Sequence, residues 1–254
     1  MSILTGNHNG VLRIVFNRAD KKNALTAAMY EALNEAFDRA AGDPAIKALL
    51  FAGEGGVFTS GNDLQDFLAS PPRGIEAPVF QFLRNLAHCP KPMVAAVQGF
   101  AVGVGTTMLL HCDLVYAADD AKFALPFTSL GLCPEAASSF LLPQIAGYQR
   151  AAEKLLLGEP FGAEEAYEMG FVNKIIPPSE VLAHAMRQAE KLAALPASSV
   201  RVTKRLLRDT HRKAIAERMD EESTLFADML GGPAAREALN AFMEKRRPNF
   251  SSID

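Results

Sequence analysis

The sequence predicts an α/β protein, with a mostly parallel sheet in its first part and a nearly all-helical second part. Short apolar runs at Val11–Phe16, 46–52, Met93–Val97 and 113–117 alternate with helix-length segments, the order expected of parallel strands joined by crossovers. From Ala136 onward the periodicity turns helical, apart from residues 172–176. No low-complexity linker interrupts the 254 residues, a length suited to one large domain or one domain with a helical appendage.

Each element has a local reason. Val11–Phe16 is an apolar run closed by the turn-rich residues 17–23. Thr26 is placed to cap a helix running to about Ala41, with Met29, Leu33, Ala36 and Phe37 on its apolar face. Gly42 and Pro44 bracket the stop. The strand at 46–52 leads into a glycine-rich loop and the segment 58–68. A proline-bearing loop over 70–78 precedes a helix at 79–87. Met93–Val97 is a third strand, 103–111 a helix that opens on glycines, and 113–117 a fourth strand. Residues 239–245 belong to a last helix before Pro248.

Composition narrows the function classes. Hydrophobic residues make up 49% and charged residues 22%, the balance of a globular protein. A net charge of -3 points to no nucleic-acid or membrane-surface partner, so any basic ligand site is local. Cys89, Cys112 and Cys133 lack metal-ligand spacing and read as reduced thiols; no metal is expected. The first ten residues resemble neither a signal nor a transit peptide, and the apolar run at 94–110 is broken by Gln98, Gly99, Gly103 and Gly105. The final residues are not a peroxisomal address, so a cytoplasmic enzyme is expected.

Two glycine-rich strand-to-helix junctions stand out, at 55–64 and 98–105. Glycine lets backbone turn sharply and approach a ligand, and a helix start leaves N–H groups unpaired beside a positive dipole end. Two such starts converging on one point make an oxyanion hole from main chain alone. The second junction is not the dinucleotide fingerprint and lacks the Walker Lys-Ser/Thr pair, and glycines at such places also serve tight packing alone. A third segment, 130–140, holds Glu135, the only carboxylate between Ala121 and Ala152. Its apolar neighbours would desolvate it, raise its pKa and make it a base suited to neutral pH. The plainer alternative is an acid that decorates a helix N-terminus. Asp113 reads as a loop fastener at a strand head, and the acidic runs near 164–168 and 217–222 read as solvated helix faces. His88 and His111 have no nucleophile elbow beside them, and Cys133 reads as packing.

In order along the chain, NRADKKNAL, SGNDL, KPMVAAVQGFAVGVG, CDLVYAADDAKFALPF, GLCPE and AFMEKRRPNF resemble the crotonase (enoyl-CoA hydratase/isomerase) superfamily. The resemblance implies a crotonase-like spiral of ββα units. It divides the chain at about 1–195, the core with its CoA and active sites, and 196–254, helices for assembly as a homotrimer or hexamer. It implies an acyl-CoA thioester substrate, with CoA part of that substrate and no separate cofactor. The oxyanion donors carry over to the N–H of Asn62, after Gly61, and the N–H of Val104, where the family commonly has glycine. Arg18, Lys21 and Lys22, with the backbone of Ala24, match the CoA-binding loop. Ser60, Asp63 and Leu64 are implied to approach adenine and pantetheine, and Phe242 and Lys245 to complete a neighbouring subunit's CoA site. Phe100, Phe127 and Leu132 are candidate acyl-pocket walls, or core residues.

The resemblance also sorts the chemistry. The two glutamates of the family's hydratases fall here on Thr107 and Phe127, so both carboxylates are missing. Pro134-Glu135, with Ser138-Ser139 and Leu142-Pro143, is instead similar to monofunctional Δ3,Δ2-enoyl-CoA isomerases, in which one glutamate shuttles one proton during fatty-acid oxidation. The alternatives are another crotonase-type acyl-CoA reaction (hydration, thioester hydrolysis or ring isomerisation) or a non-catalytic acyl-CoA-binding protein.

Overall fold

A computed structural model describes residues 1–69, 72, 74, 76–251 and 253. The chain opens with a hairpin of β1 (Ile3–His8) and β2 (Val11–Phe16), paired antiparallel through all six residues of each. Asn9 and Gly10 between them both have positive φ, 52° and 81°, as a two-residue turn matched to the strand twist demands. β1 was not among the expected strands. The next strands, β3 (Ala48–Gly53) and β4 (Met93–Val97), continue the sheet in parallel, with β5 (Phe100–Val102) following at once. β6 (Leu114–Ala118), β7 (Lys122–Ala124), β8 (Phe161–Gly162) and β9 (Lys174–Ile176) complete two sheets. The large one runs β1-β2-β3-β4-β6-β9, the small one β5-β7-β8.

Alternation along the strands sends side chains to two cores. Val11, Ala48, Leu50, Ala52, Val94 and Ala96 face α8 (Pro178–Ala194), which buries Val181, Ala185, Ala189 and Ala193 at four-residue intervals. Leu12, Ile14, Phe16, Leu49, Phe51, Met93 and Ala95 face the main core, packed by α1 (Ala27–Gly42) and by α3 (Pro78–His88), which follows the short α2 (Leu64–Ala69). The Thr26 side chain accepts the Met29 N–H and caps α1, as expected. Thr26→Ala is expected to cost about 1 kcal/mol. That lowers the melting midpoint by about 2–4 °C in a chain of this size, measurable by calorimetry.

Boundaries shift where side chains take over backbone roles. The strand expected at 113–117 starts one residue later, because Asp113 accepts the Met93 N–H (2.8 Å) and fastens the strand head. The helix expected at 103–111 is one α turn, α4 (Val104–Thr107), followed by a 3₁₀ stretch, Met108–His111. The loop expected at 70–78 lies in part outside the described residues. The later helices are α5 (Ser138–Ala146), α6 (Tyr148–Leu157), α7 (Ala163–Met169), α9 (Ala197–Leu230) and α10 (Pro233–Met243). The last of these begins well before the expected 239–245 and leaves out Lys245. Among the described residues no helix is long and apolar enough to cross a membrane.

The small sheet explains the winding. After β3, Thr59 bridges Ala101 of β5 and then α2 follows; after β4 comes β5 and then α4; after β6 comes β7 and then α5. Each turn of this spiral therefore lays one strand in the large sheet, a shorter stretch in or against the small one, and a helix. The loops leaving the small sheet stand side by side at one end of it. Gly103 N–H, just past β5, donates to Ala124 O at the end of β7 (2.9 Å).

Candidate active site

The first of these loops is pinned by Asn23, a fully buried polar residue in the left-handed region (φ 56°). Its Nδ2 donates to Glu54 O (2.9 Å) and Val57 O (2.7 Å), and its Oδ1 accepts Arg18 N–H (2.8 Å). Its own carbonyl accepts the Thr59 hydroxyl (2.7 Å), whose oxygen in turn accepts Gly61 N–H (3.1 Å). Leu25 N–H donates to Gly61 O (2.8 Å), which lashes this loop to the turn that carries Asn23. The side-chain polar atoms of Asn23 and Thr59 are all spent on backbone, so the start of the 59–63 segment is rigid.

Gly61 has φ 87°, and a Cβ there would lie 2.6 Å from Val102 O, so only glycine lets the two loops come this close. No described residue accepts the N–H of Asn62 or of Val104, the first residue of α4. The Asn62 side chain is held in place by the Tyr30 hydroxyl, which donates to its Oδ1. Burial, then the charge of Glu135, push the Tyr30 phenol well above its ordinary value, so it remains a neutral donor.

The third loop carries Glu135, only 4% exposed. Burial first, then the charge of Glu222, push its carboxyl up to about 8, while the Thr107 hydroxyl opposes the shift. Its Oε1 has no hydrogen-bond partner among the described residues. The alternative of a solvated acid at a helix start is thereby overturned. Ala136 and Ala137 follow with φ 59° and 54°, two successive left-handed non-glycine residues. His111 Nε2 donates to Ala136 O (2.7 Å); burial and the charge of Arg208 push that imidazole down to about 3, so it is neutral. Glu222 of α9 accepts from Ala137 N–H (2.6 Å), Ser139 N–H (3.1 Å) and the Ser139 hydroxyl (2.5 Å). The reading of 217–222 as a solvated face thus fails at Glu222, itself 4% exposed.

A cavity of about 700 Å³ collects these groups. Asn62, Val104 and Glu135 line it together with Lys21, Lys22, Ala24, Ser60, Asp63, Leu64, Phe127, Leu132 and Phe242. Its apolar walls include Leu130, Phe226, Leu230 and Leu239, so α9 and α10 of the same chain close the site. Two expected contacts fall elsewhere. Phe100 opens β5 pointing outward, 45% exposed, with the Lys22 ammonium 5.5 Å above its ring, so it is no acyl-pocket wall. Arg18 is a strut: its guanidinium bridges Asp63 (2.6 Å) and donates to Ala24 O (3.0 Å). Lys245, whose implied contact is with a neighbouring subunit's CoA, lies past the end of α10 and outside this chain's own lining. Asp63 is also committed, since its Oδ1 accepts the N–H groups of Gln65 and Asp66. Burial opposes its ionisation, but Arg18 and these N–H groups outweigh it and hold the carboxyl below its ordinary range. A second cavity of about 390 Å³, between the end of α3 and the first half of α9, is lined by Arg201, Arg205, Arg208 and Arg212. It contains neither Glu135 nor the two backbone donors.

Tyr30, Thr107, His111 and Glu222 are the functional neighbours that sequence reasoning missed. Glu222 had a readable signal: with Ile215, Met219 and Phe226 it occupies one buried stripe of α9 at spacings of four, three and four.

The chain is similar to known proteins over nearly its whole length. The profile described as enoyl-CoA hydratase/isomerase matches residues 6–252. The chain is 36% identical over 257 residues to enoyl-CoA delta isomerase 2 of Rattus norvegicus, covering 98% of this chain and 64% of that protein, so it spans somewhat under two thirds of the relative's length. It is 32% identical over 258 residues to 1,2-epoxyphenylacetyl-CoA isomerase of Escherichia coli (strain K12), covering 98% of each. The crystal structure of an enoyl-CoA hydratase/isomerase from Pseudoalteromonas atlantica T6c superposes with a TM-score of 0.94 at 39% identity, covering 99% of this chain and 100% of that one.

Proposed function

Since the chain belongs to the enoyl-CoA hydratase/isomerase family and has its crotonase fold, we propose that it isomerises a 3-enoyl-CoA to the 2-trans-enoyl-CoA with Glu135 as sole base. The observation that carries this reading is the acid inventory of the cavity. Glu135 is the one uncommitted carboxylate among the described lining residues, the other acid, Asp63, being bound to Arg18 and to the start of α2. Hydration needs a further group to hold and deprotonate water, and the positions expected to supply it are Thr107 and Phe127. Both are buried, and neither can carry charge.

The steps balance with one base. The ionised Glu135 takes a proton from the carbon alpha to the thioester. The C–H electron pair forms a C=C bond to the carbonyl carbon, and the carbonyl π pair moves onto oxygen. That oxygen sits between the N–H groups of Asn62 and Val104, which cost no reorganisation as charge develops. As the carbonyl re-forms, the double bond shifts into conjugation, and the protonated Glu135 delivers its proton to the gamma carbon. The acyl chain lies against Leu130, Phe226, Leu230 and Leu239, while Lys21 and Lys22 at the rim face the CoA phosphates. Fatty-acid oxidation is the proposed setting, and a homotrimer or a pair of trimers the proposed assembly.

The test is conversion of 3-enoyl-CoA to the conjugated thioester, followed by ultraviolet absorbance. Hydration of 2-enoyl-CoA at a comparable rate would sink the single-base reading. Only the ionised Glu135 accepts a proton, so kcat/KM is expected to climb about tenfold per pH unit and to level off above about 8. A profile flat from pH 6 to 9 would assign the proton transfer to another group.

A further inference from the structure

We infer that Glu222 is a positioning residue for Glu135: reaching from α9 into the 135–139 turn, it fixes where the base points and sets the pH at which it works. The inference rests on the role proposed for Glu135 and names a part of the machinery outside the cavity lining.

The geometry comes first. A base that serves two carbons must be held at one place, yet Glu135 is followed by two left-handed alanines, a conformation that is strained for residues with a Cβ unless something supports it. The support comes from outside the loop. Ala137 N–H and Ser139 N–H both donate to the Glu222 carboxylate, as does the Ser139 hydroxyl, and Ala136 O is held on the other side by His111. The two oxygens of Glu222 together accept three hydrogen bonds, the pattern of an ionised carboxylate. No described group donates to Glu135 Oε1. Of two neighbouring carboxyls, the one facing three donors therefore ionises first, and its charge resists ionisation of the other.

The groups facing this pair bear the argument out. Around Glu135 the charges in play are Glu222 from α9, the Tyr30 phenol from α1 and the Cys133 thiol of its own loop, with the Thr107 hydroxyl from α4 as a hydrogen-bond donor. Around Glu222, burial pushes the carboxyl above its ordinary value, and the Ser139 hydroxyl, the two N–H groups and Arg218 one turn earlier on α9 oppose that shift. The Cys133 thiol is itself pushed up to about 11 by burial and then by Glu222, so it carries no charge at neutral pH. The His111 imidazole is neutral as well. Among the described residues, Glu222 alone thus brings a negative charge to bear on Glu135.

Position along α9 adds a consequence. Phe226 and Leu230 lie one and two turns after Glu222 on the same helix, and both line the cavity. The helix that walls the acyl chain is therefore the one that holds the base.

Two substitutions separate the two effects. Glu222→Gln removes the charge and leaves Ala137 N–H facing a donor, while Glu222→Asp keeps the charge but draws it back from the turn. The first is expected to lower kcat about tenfold or more and to move the acid limb of the kcat/KM profile to lower pH. The second is expected to lower kcat with the limb in place. The exposed Glu217→Gln on the same helix is expected to leave both unchanged. Wild-type kcat and limb in Glu222→Gln would overturn the inference. Should the variants fail to fold, carbon-13 NMR of glutamate-labelled wild-type protein decides the matter, with Glu135→Gln used for assignment. Glu222 is expected to be ionised while Glu135 is still protonated, and the reverse order overturns the inference. Absence of turnover in wild-type protein would refute the isomerase reading instead, and it leaves that titration readable.

Discussion

Replacing Glu135 with Gln is expected to leave a folded protein that binds CoA thioesters and isomerises them about a thousandfold more slowly, the scale of a lost acid–base group. The same change is expected to stabilise the fold at alkaline pH. The Glu135 carboxyl is pushed from an ordinary 4.5 up to about 8 in the folded chain. Stability linked to it is fully present below about 4.5 and is lost as pH rises through about 8, because unfolding releases a proton that the native state retains. At 1.36 kcal/mol per pKa unit that loss is on the order of 5 kcal/mol. Glutamine has no proton to release. Urea unfolding at pH 8.5 is therefore expected to place Glu135→Gln well above wild type, with the gap nearly closed at pH 5. A gap of equal size at both values would show that burial of this carboxyl is not its origin.

Gly61→Ala is expected to strike the other half of the site. Its methyl would sit 2.6 Å from Val102 O, with the backbone in a left-handed conformation. The 59–63 segment cannot yield toward Asn23, which is fully committed, so the strain forces Asn62 and Val104 apart. A lost oxyanion donor costs about 10²–10³ in kcat. The fall is expected in kcat rather than KM, since the interaction is strongest as negative charge develops. Gly56→Ala supplies the comparison: that residue is also left-handed (φ 71°), but nothing lies within 4 Å of its added Cβ. It carries the conformational cost of about 1–2 kcal/mol alone and should keep its turnover. Equal losses of kcat in the two variants would refute the idea that close approach of the loops makes the hole.

What the sequence made legible follows the length over which a pattern repeats. The four long parallel strands and α1 with its Thr26 cap stood out because a strand or helix buried on one face repeats its signal several times. β5, β7 and β8 are two or three residues each, too short for any period, and yet they align the site loops. β1 was missed although Asn9-Gly10 is a strong hairpin signal, because its polar residues Thr5, Asn7 and His8 masked the strand. Glu135 was legible from its isolation among apolar neighbours. Glu222 was hidden by the acids beside it, Asp220 and Glu221, which do face solvent. Arg18 and Phe100 were misassigned for a shared reason: residue type suggested a ligand contact, but a neighbour, Asp63 or Lys22, had already claimed the group.

The spiral path has one more implication. Asn62, Val104 and Glu135 each follow a different turn of the same winding, just beyond its small-sheet stretch. In the proposed reaction two of the three act through main chain, whose N–H survives almost any substitution, as valine at 104 illustrates. Cradle and acid are thus separately heritable: a carboxylate can vanish from one winding, as at Thr107, and serve from the next without disturbing the amides that hold the charge. A chain built this way can change reaction by point substitution while its most demanding feature, a preformed pocket for an oxyanion, passes down intact.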